Sequence, residues 1–438
     1  FPVGQRKAGH LPGNSASLEK LAQETEKNHE DILEQADETD AMFGELYSWY
    51  LRNPEYRSRV QKLVQSAFAG KPEDIISQSV AKALYGEVSP YSATRLERFA
   101  ACAFAHFLQY GMKLTERVEY EFKPMDMGNV MHEALESFAE EVRKRGMKWT
   151  ELTEQERNEI ADRCLDNIVA DYGNTVLKSS ARNEYMIERT RRILRRTVWA
   201  LQKQLEQGEF QPEGFEVTFG GGRIDRVDIM EDQNKVYVKV IDYKTGNTSF
   251  DLVYLYHGLQ LQLMIYLDGA LRVEQKKYPD KEIIPAGVFY YNIKDPMIQE
   301  KIDADVEAVS AGLMKELKMN GLVQADPELV YRMDSSLGSI PVAFNKDGSF
   351  RKNSSVADRT QFAVLGRYVR TKIEKIRSSI LEGDAEVSPY EFGKKNACTY
   401  CPYMTVCGFD RRLSGYEFRR LKNFSDEELW KAFDREAE

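Results

Sequence analysis

The sequence predicts an α/β protein in which helices surround a hairpin-rich sheet and further helices are inserted between the strands. Two observations carry this. Runs rich in Val, Ile and Tyr are concentrated in residues 215–244 and 284–292, whereas long stretches on both sides repeat their apolar residues at helical spacing. A chain of 438 residues has room for two or three average domains, or for one enlarged α/β domain with helical insertions.

Taken in order, residues 1–90 read as polar and helical, broken at Pro54, Gly70 and Pro72, and carry no evident chemistry. Residues 92–110 form an apolar, aromatic helix that carries Cys102. The helix expected over 128–145 places Met131, Leu135, Phe138 and Val142 on one face, and two long helices follow to about residue 207. Strands are expected at 215–219, 223–230 and 235–244, separated by Gly220-Gly221-Gly222 and by Glu231-Asp232-Gln233-Asn234. A helix over 252–271, a strand over 284–292, and helices near 300–318 and 358–381 complete the reading, with a Ser-, Gly- and Asn-rich loop at 334–355.

Composition narrows the class. Hydrophobic residues make up 42% and charged residues 30%, which describes a folded globular chain rather than a disordered one. No apolar run approaches bilayer length and no basic-then-apolar leader opens the chain, so a cytoplasmic protein is expected. The first residue, Phe1, suggests a piece of a longer polypeptide or a processed chain. A net charge of −9 argues on its face against a phosphate-bearing partner. The average hides an acidic stretch from Glu24 to Asp40 and a cluster of Arg189, Arg191, Arg192, Arg195 and Arg196. Those arginines read as a salt-bridged helix face, or, more sharply, as a surface that tracks phosphates.

The segment Ile241-Asp242-Tyr243-Lys244 puts an acid and a base at alternate positions, so both point to one side of a strand. Asp225, in Gly222-Arg223-Ile224-Asp225-Arg226-Val227-Asp228, lies alongside if the two strands pair, and Asp228 then faces away and is structural. Two carboxylates supply hard oxygen ligands for Mg²⁺, and a lysine stabilises charge on an attacked phosphate. Alone, an Asp-x-Lys on a strand is the pattern of a surface ion pair. His132 early in a helix, and Gln262 and Tyr266 four apart on another, are each equally ordinary.

Together, Gly128-x-x-x-His132, Asp225, Asp242-Tyr243-Lys244 and Gln262-x-x-x-Tyr266 occur in the order that resembles the RecB-like nucleases of the PD-(D/E)XK superfamily. The resemblance implies a restriction-endonuclease-like core, a central mixed sheet flanked by helices. It implies that His132, Asp225, Asp242 and the main-chain carbonyl of Tyr243 bind Mg²⁺. Lys244 would orient or activate the attacking water, and Gln262 and Tyr266 would position the DNA strand.

Three of the five cysteines stand in Cys398-x-x-Cys401 followed by Cys407. In a cytosolic protein this spacing points to a metal centre rather than to disulfides. Cys102 is the better fourth ligand, because Cys164 sits mid-helix as a small buried residue. Zinc and a 4Fe-4S cluster both accept four cysteines. Joining Cys102 to Cys398 closes a loop around the whole core, which on the chain-entropy estimate contributes on the order of 5 kcal/mol. One cysteine upstream and three downstream resembles the iron–sulfur staple of bacterial nuclease subunits, which implies iron.

Flanking stretches such as Arg95-Leu96-Glu97-Arg98-Phe99-Ala100-Ala101-Cys102 and Cys407-Gly408-Phe409-Asp410 extend the resemblance, from about residue 84 onward, to the carboxy-terminal part of the AddB-type family of helicase-nuclease subunits. Ala103 departs from the proline usual there and leaves the ligand intact. The resemblance implies residues 91–438 as the nuclease domain and 1–90 as the remnant of a helicase-like region. It also implies a partner of the AddA type, and action on single-stranded DNA ends, on the strand that ends 5′. No Gly-x-x-x-x-Gly-Lys-Ser/Thr loop is present, so ATP hydrolysis by this chain is not expected. Competing readings are a stand-alone exonuclease like those of CRISPR adaptation, which are shorter, and a catalytically silent scaffold that binds DNA ends.

Overall fold

The computed structural model describes residues 38–67, 75–86, 92–115, 124–171, 180–220, 222–298, 305–413 and 415–437. Most of the acidic stretch noted above lies outside these residues. The longer helices before the sheet are α1 (Glu38–Arg52), α2 (Pro54–Ala67), α3 (Gln78–Tyr85), α4 (Ala93–Ala101), α5 (Pro124–Lys144), α6 (Glu154–Asp171) and α7 (Ala181–Glu206). The sheet then begins with β1 (Gln211–Phe219), β2 (Gly222–Asp232) and β3 (Lys235–Lys244). Helices α8 (Leu252–Tyr256) and α9 (Gln262–Lys277) lead to β4 (Glu282–Asn292), followed by α10 (Val306–Glu316), β5 (Asn320–Gln324), α11 (Pro327–Met333), β6 (Val356–Ala357) and α12 (Arg359–Glu382). A small sheet of β7 (Tyr390–Phe392), β8 (Lys395–Asn396) and β9 (Arg419–Arg420) precedes α13 (Asp426–Ala437).

The six strands lie in chain order, β1 to β6. β1–β2–β3 form antiparallel pairs, β3 and β4 run parallel, β4 and β5 antiparallel, and β5 and β6 parallel, so the sheet is mixed. β3 buries every residue from Val236 to Tyr243, as a strand covered on both faces must. One face meets α5, α6 and α7 through Met131, Leu135, Phe138, Ile160, Leu194 and Val198. The other meets α3, α4, α9, α12 and α13 through Ala81, Leu96, Leu263, Leu365 and Phe433. α3 therefore joins the main core, although the sequence reading put residues 1–90 in a separate segment. Among the described residues, no helix is long and apolar enough to cross a membrane.

Three expectations are corrected. The helix over 92–110 is broken at Cys102, whose backbone is extended (φ −167°, ψ 117°); the Phe104 N–H turns away to the carbonyl of Glu386 at 2.9 Å. The helix over 252–271 is two helices, because Gly258 adopts φ +78° and sits against Ala100, where a Cβ would come within 3.1 Å. β5 was not anticipated. Gly321 lets it press on β4, since a Cβ there would stand 1.9 Å from the Val288 carbonyl oxygen, and that closeness rather than any residue pattern makes the strand.

Candidate active site

The pairing of Arg226 with Ile241 and of Val227 with Val240 sets Asp225 opposite Asp242 at the carboxyl end of β3. Both point to the face shared with α4 and α9. Asp225 Oδ2 accepts the Tyr243 N–H at 2.7 Å, which fixes the carboxylate to the neighbouring strand. His132, two turns into α5, reaches over the sheet end from the opposite layer. Its Nε2 lies 3.1 Å from the Tyr243 carbonyl oxygen, and its Nδ1 lies 3.4 Å from Asp225 Oδ2 and 3.7 Å from Glu216 Oε1. The ligand atoms of His132, Glu216 and Asp225 all fall within 4.8 Å of one another. Asp242 stands outside that group of three, with Oδ2 at 2.5 Å from Lys244 Nζ. Lys244 also donates to Gln262 Oε1 at 2.8 Å, and Gln262 Nε2 donates to the Tyr266 hydroxyl at 2.8 Å. The structure thus brings all the sequence-predicted residues of this set to one sheet end.

The electrostatics describe a surplus of acid. Burial, followed by the charge of Asp225, pushes Asp242 up to about 7. Burial would lower His132, but hydrogen bonds to Asp225 and Glu216 outweigh it and raise the imidazole to about 10. Asp242 Oδ2 is buried, with the Lys244 ammonium as its ion-pair partner. The donor set fits a divalent cation. An imidazole, three carboxylates and a main-chain carbonyl at one sheet end are donors that such an ion accepts.

The second constellation forms where α4 breaks. Cys102, Cys398, Cys401 and Cys407 line one small apolar cavity, and Cys164 is buried elsewhere, in the core against α5–α7. All five are free thiols. Burial, then the neighbouring Cys102, Cys401 and Cys407, pushes the Cys398 thiol up to about 12. Four thiols around one apolar pocket are a donor set that a shared metal centre accepts.

Over residues 90–408 the chain matches the family profile of the PD-(D/E)XK nuclease superfamily. The chain belongs to this superfamily. A PD-(D/E)XK core accounts for the mixed sheet flanked by helices. Among curated relatives, an ATP-dependent helicase/deoxyribonuclease subunit of Lachnoclostridium phytofermentans is 41% identical over 425 residues, covering 92% of this chain and 36% of the relative. Proteins of the same name from Thermoanaerobacter sp. and Alkaliphilus metalliredigens are 34% and 33% identical, over 92% and 98% of this chain and 37% and 39% of theirs. The chain spans little more than a third of the length of these relatives.

Two acids of this PD-(D/E)XK site escaped the sequence reading. Glu216 sits on β1 between Phe215, paired with Arg226, and Val217, paired with Ile224, so it faces Asp225. Its backbone is left-handed (φ 50°), a strained state for a non-glycine residue, just after an irregularity in the β1–β2 register. Glu97 on α4 accepts the Gln262 N–H at 2.9 Å across 165 residues of chain. Four of the five arginines of the cluster take the plainer reading. Arg191 and Arg195 pair with Asp162, Arg192 and Arg196 with Asp295, and these pairs brace α7 against its neighbours.

Proposed function

We propose that this chain is a Mg²⁺-dependent deoxyribonuclease that cleaves single-stranded DNA ends, on the strand that ends 5′, within a cytoplasmic helicase–nuclease complex. The observation that carries the reading is the convergence of His132, Asp225, Asp242 and the Tyr243 carbonyl beside Lys244 at one sheet end. The name of the relatives, a helicase/deoxyribonuclease subunit, supports a helicase-bearing partner, proposed to be of the AddA type. The nuclease domain then extends ahead of residue 91 to include α3, which shares its core.

His132, Asp225, Asp242 and the Tyr243 carbonyl would hold Mg²⁺, with Glu216 beside them. When bound, the ion supplies Lewis-acid charge to a phosphoryl oxygen and lowers the pKa of a bound water. Asp225 is kept aimed by the Tyr243 N–H. The Lys244 ammonium, set between Asp242 and Gln262, orients the attacking water and offsets charge on the phosphoryl oxygens. Gln262 and Tyr266, linked by their own hydrogen bond, line the approach and position the strand. Cys102, Cys398, Cys401 and Cys407 would hold a 4Fe-4S cluster that pins the break after α4 to the carboxy-terminal segment.

Cleavage of end-labelled single-stranded DNA by the purified chain tests the reading. Activity in Mg²⁺ should vanish in EDTA, in D242A and in K244A while all proteins stay folded. Full activity in both variants would refute it. Iron and sulfide analysis of anaerobically purified protein checks the cluster, and stoichiometric zinc without iron would replace it.

A further inference from the structure

One half-buried acid beside this site has no part in the chemistry above. α9 begins without a cap of its own, because Leu261 at the N-cap position offers no side-chain hydrogen bond. The first N–H groups of a helix have no partner within it and favour a negative group nearby. Here the partner comes from another helix. Glu97, midway along α4, accepts the N–H of Gln262 at 2.9 Å, and Gln262 is the residue whose Oε1 takes a hydrogen bond from Lys244. Burial raises Glu97 to about 7 against the pull of the Gln262 N–H and of Lys244, which places its carboxyl inside the site's field.

We propose that Glu97 is a positioning residue for the nuclease site: by capping α9 from a second helix it fixes the backbone of Gln262 and, through Gln262, the ammonium of Lys244. The inference rests on the reading that Lys244 serves phosphodiester cleavage. It is supported by how α4 itself is held. Ala100 lies against the turn at Gly258, and the Ala100 carbonyl accepts from Arg419. Arg98 reaches Cys401 Sγ at 3.9 Å, and the helix ends at Cys102. The helix that presents Glu97 to the nuclease site is therefore anchored at its other end by the cysteine-bearing segment.

The test compares E97L, which removes the acceptor at similar volume, with E97Q, which keeps a carbonyl oxygen. Hydrogen-exchange mass spectrometry of residues 259–266 should show exchange in E97L faster by about tenfold, with E97Q close to the native rate. In single-strand cleavage, E97L should lose about 10- to 100-fold in kcat with KM held within about threefold, and E97Q should recover to within about threefold of native. Adding Q262A to E97L should slow cleavage no further than Q262A alone. Native exchange over 259–266 in E97L, or losses that multiply in the double variant, would overturn the proposal. If E97L does not fold, E97D, which withdraws the carboxyl by one methylene, is judged on the same exchange measurement. Absence of metal-dependent, Asp242-sensitive cleavage in the native protein would sink the nuclease reading and leave the exchange result to decide the cap. Cleavage that is lost in D242A but native in E97L would sink this inference alone.

Discussion

Two sets of charged side chains sit back to back on β2 and β3, and they meet burial in opposite ways. On the face toward α5–α7, Asp228 binds Arg226 at 2.5 Å and Lys239 at 2.9 Å. Aromatic rings cover the cations, Trp149 and Phe215 over Arg226 and Phe210 over Lys239. Against its burial, Arg226 and Lys239 hold Asp228 below the ordinary carboxylate range. On the other face, at the strand ends, Asp225, Asp242 and Glu216 gather around His132 and Lys244, with Arg223 Nε 2.7 Å from Glu216 Oε2. Asp242 and His132 both hold protons more tightly than usual. The strands and their alternation are the same, so the difference lies in the charge count. The first set is closed over by its rings, with two cations on one carboxylate, whereas the second stays open at the strand ends, three carboxylates gathered with protons on Asp242 and His132 that a metal cation would displace.

The largest effect should separate the two in function. D242A should lower cleavage by about 10³ or more, on the order of 4 kcal/mol of transition-state stabilisation. Its metal-free thermal stability should hold or rise, because the change relieves repulsion with Asp225. A parallel fall in stability would mean that Asp242 is structural. Next, D228N leaves Arg226 and Lys239 buried without their carboxylate and should cost about 3–5 kcal/mol in denaturant unfolding. Replacing the whole closed set by R226M, D228L and K239M should restore most of that loss, since well-packed apolar groups substitute for buried ion sets. Failure of the triple variant to recover would show that the closed set does more than fill space.

The smallest effect is in pH dependence. In metal-free protein Asp242 titrates near 7, above the ordinary range, so its share of stability falls as pH rises from about 4 through 7. His132, raised to about 10, has the same sign and loses its share as pH rises from about 6.5 through 10. Metal-free stability should therefore decline steadily between pH 5 and 9 in denaturant unfolding. D225N–D242N should flatten the slope, and an unchanged slope would place the titrating groups elsewhere.

Local periodicity made part of this site legible. Alternation put Asp242 and Lys244 on one side of a strand, and helical spacing put Gln262 next to Tyr266. The odd spacing of Asp225 and Asp228 also assigned them to opposite faces. Glu216 stayed hidden because its direction depends on the register beyond an irregularity at Pro212 and Gly214, which the chain does not announce. Glu97 stayed hidden because its partner is a backbone N–H on a distant helix, and no residue pattern marks such a contact. The breaks at Cys102 and Gly258 were read through as helix, since apolar spacing continues across both and only tertiary contacts stop them. The cysteine spacing and the mid-helix setting of Cys164 singled out the four cysteines that line one cavity, although the extended backbone that turns the chain at Cys102 appeared only in the fold.

Calorimetric titration of Mg²⁺ into the metal-free protein at pH 8 tests the open site most directly. Saturable binding is expected, with proton release from His132 seen as a dependence of the heat on the buffer, and both should disappear in D225N–D242N. Equal binding in that variant, or no saturable binding in the native chain, would contradict the account.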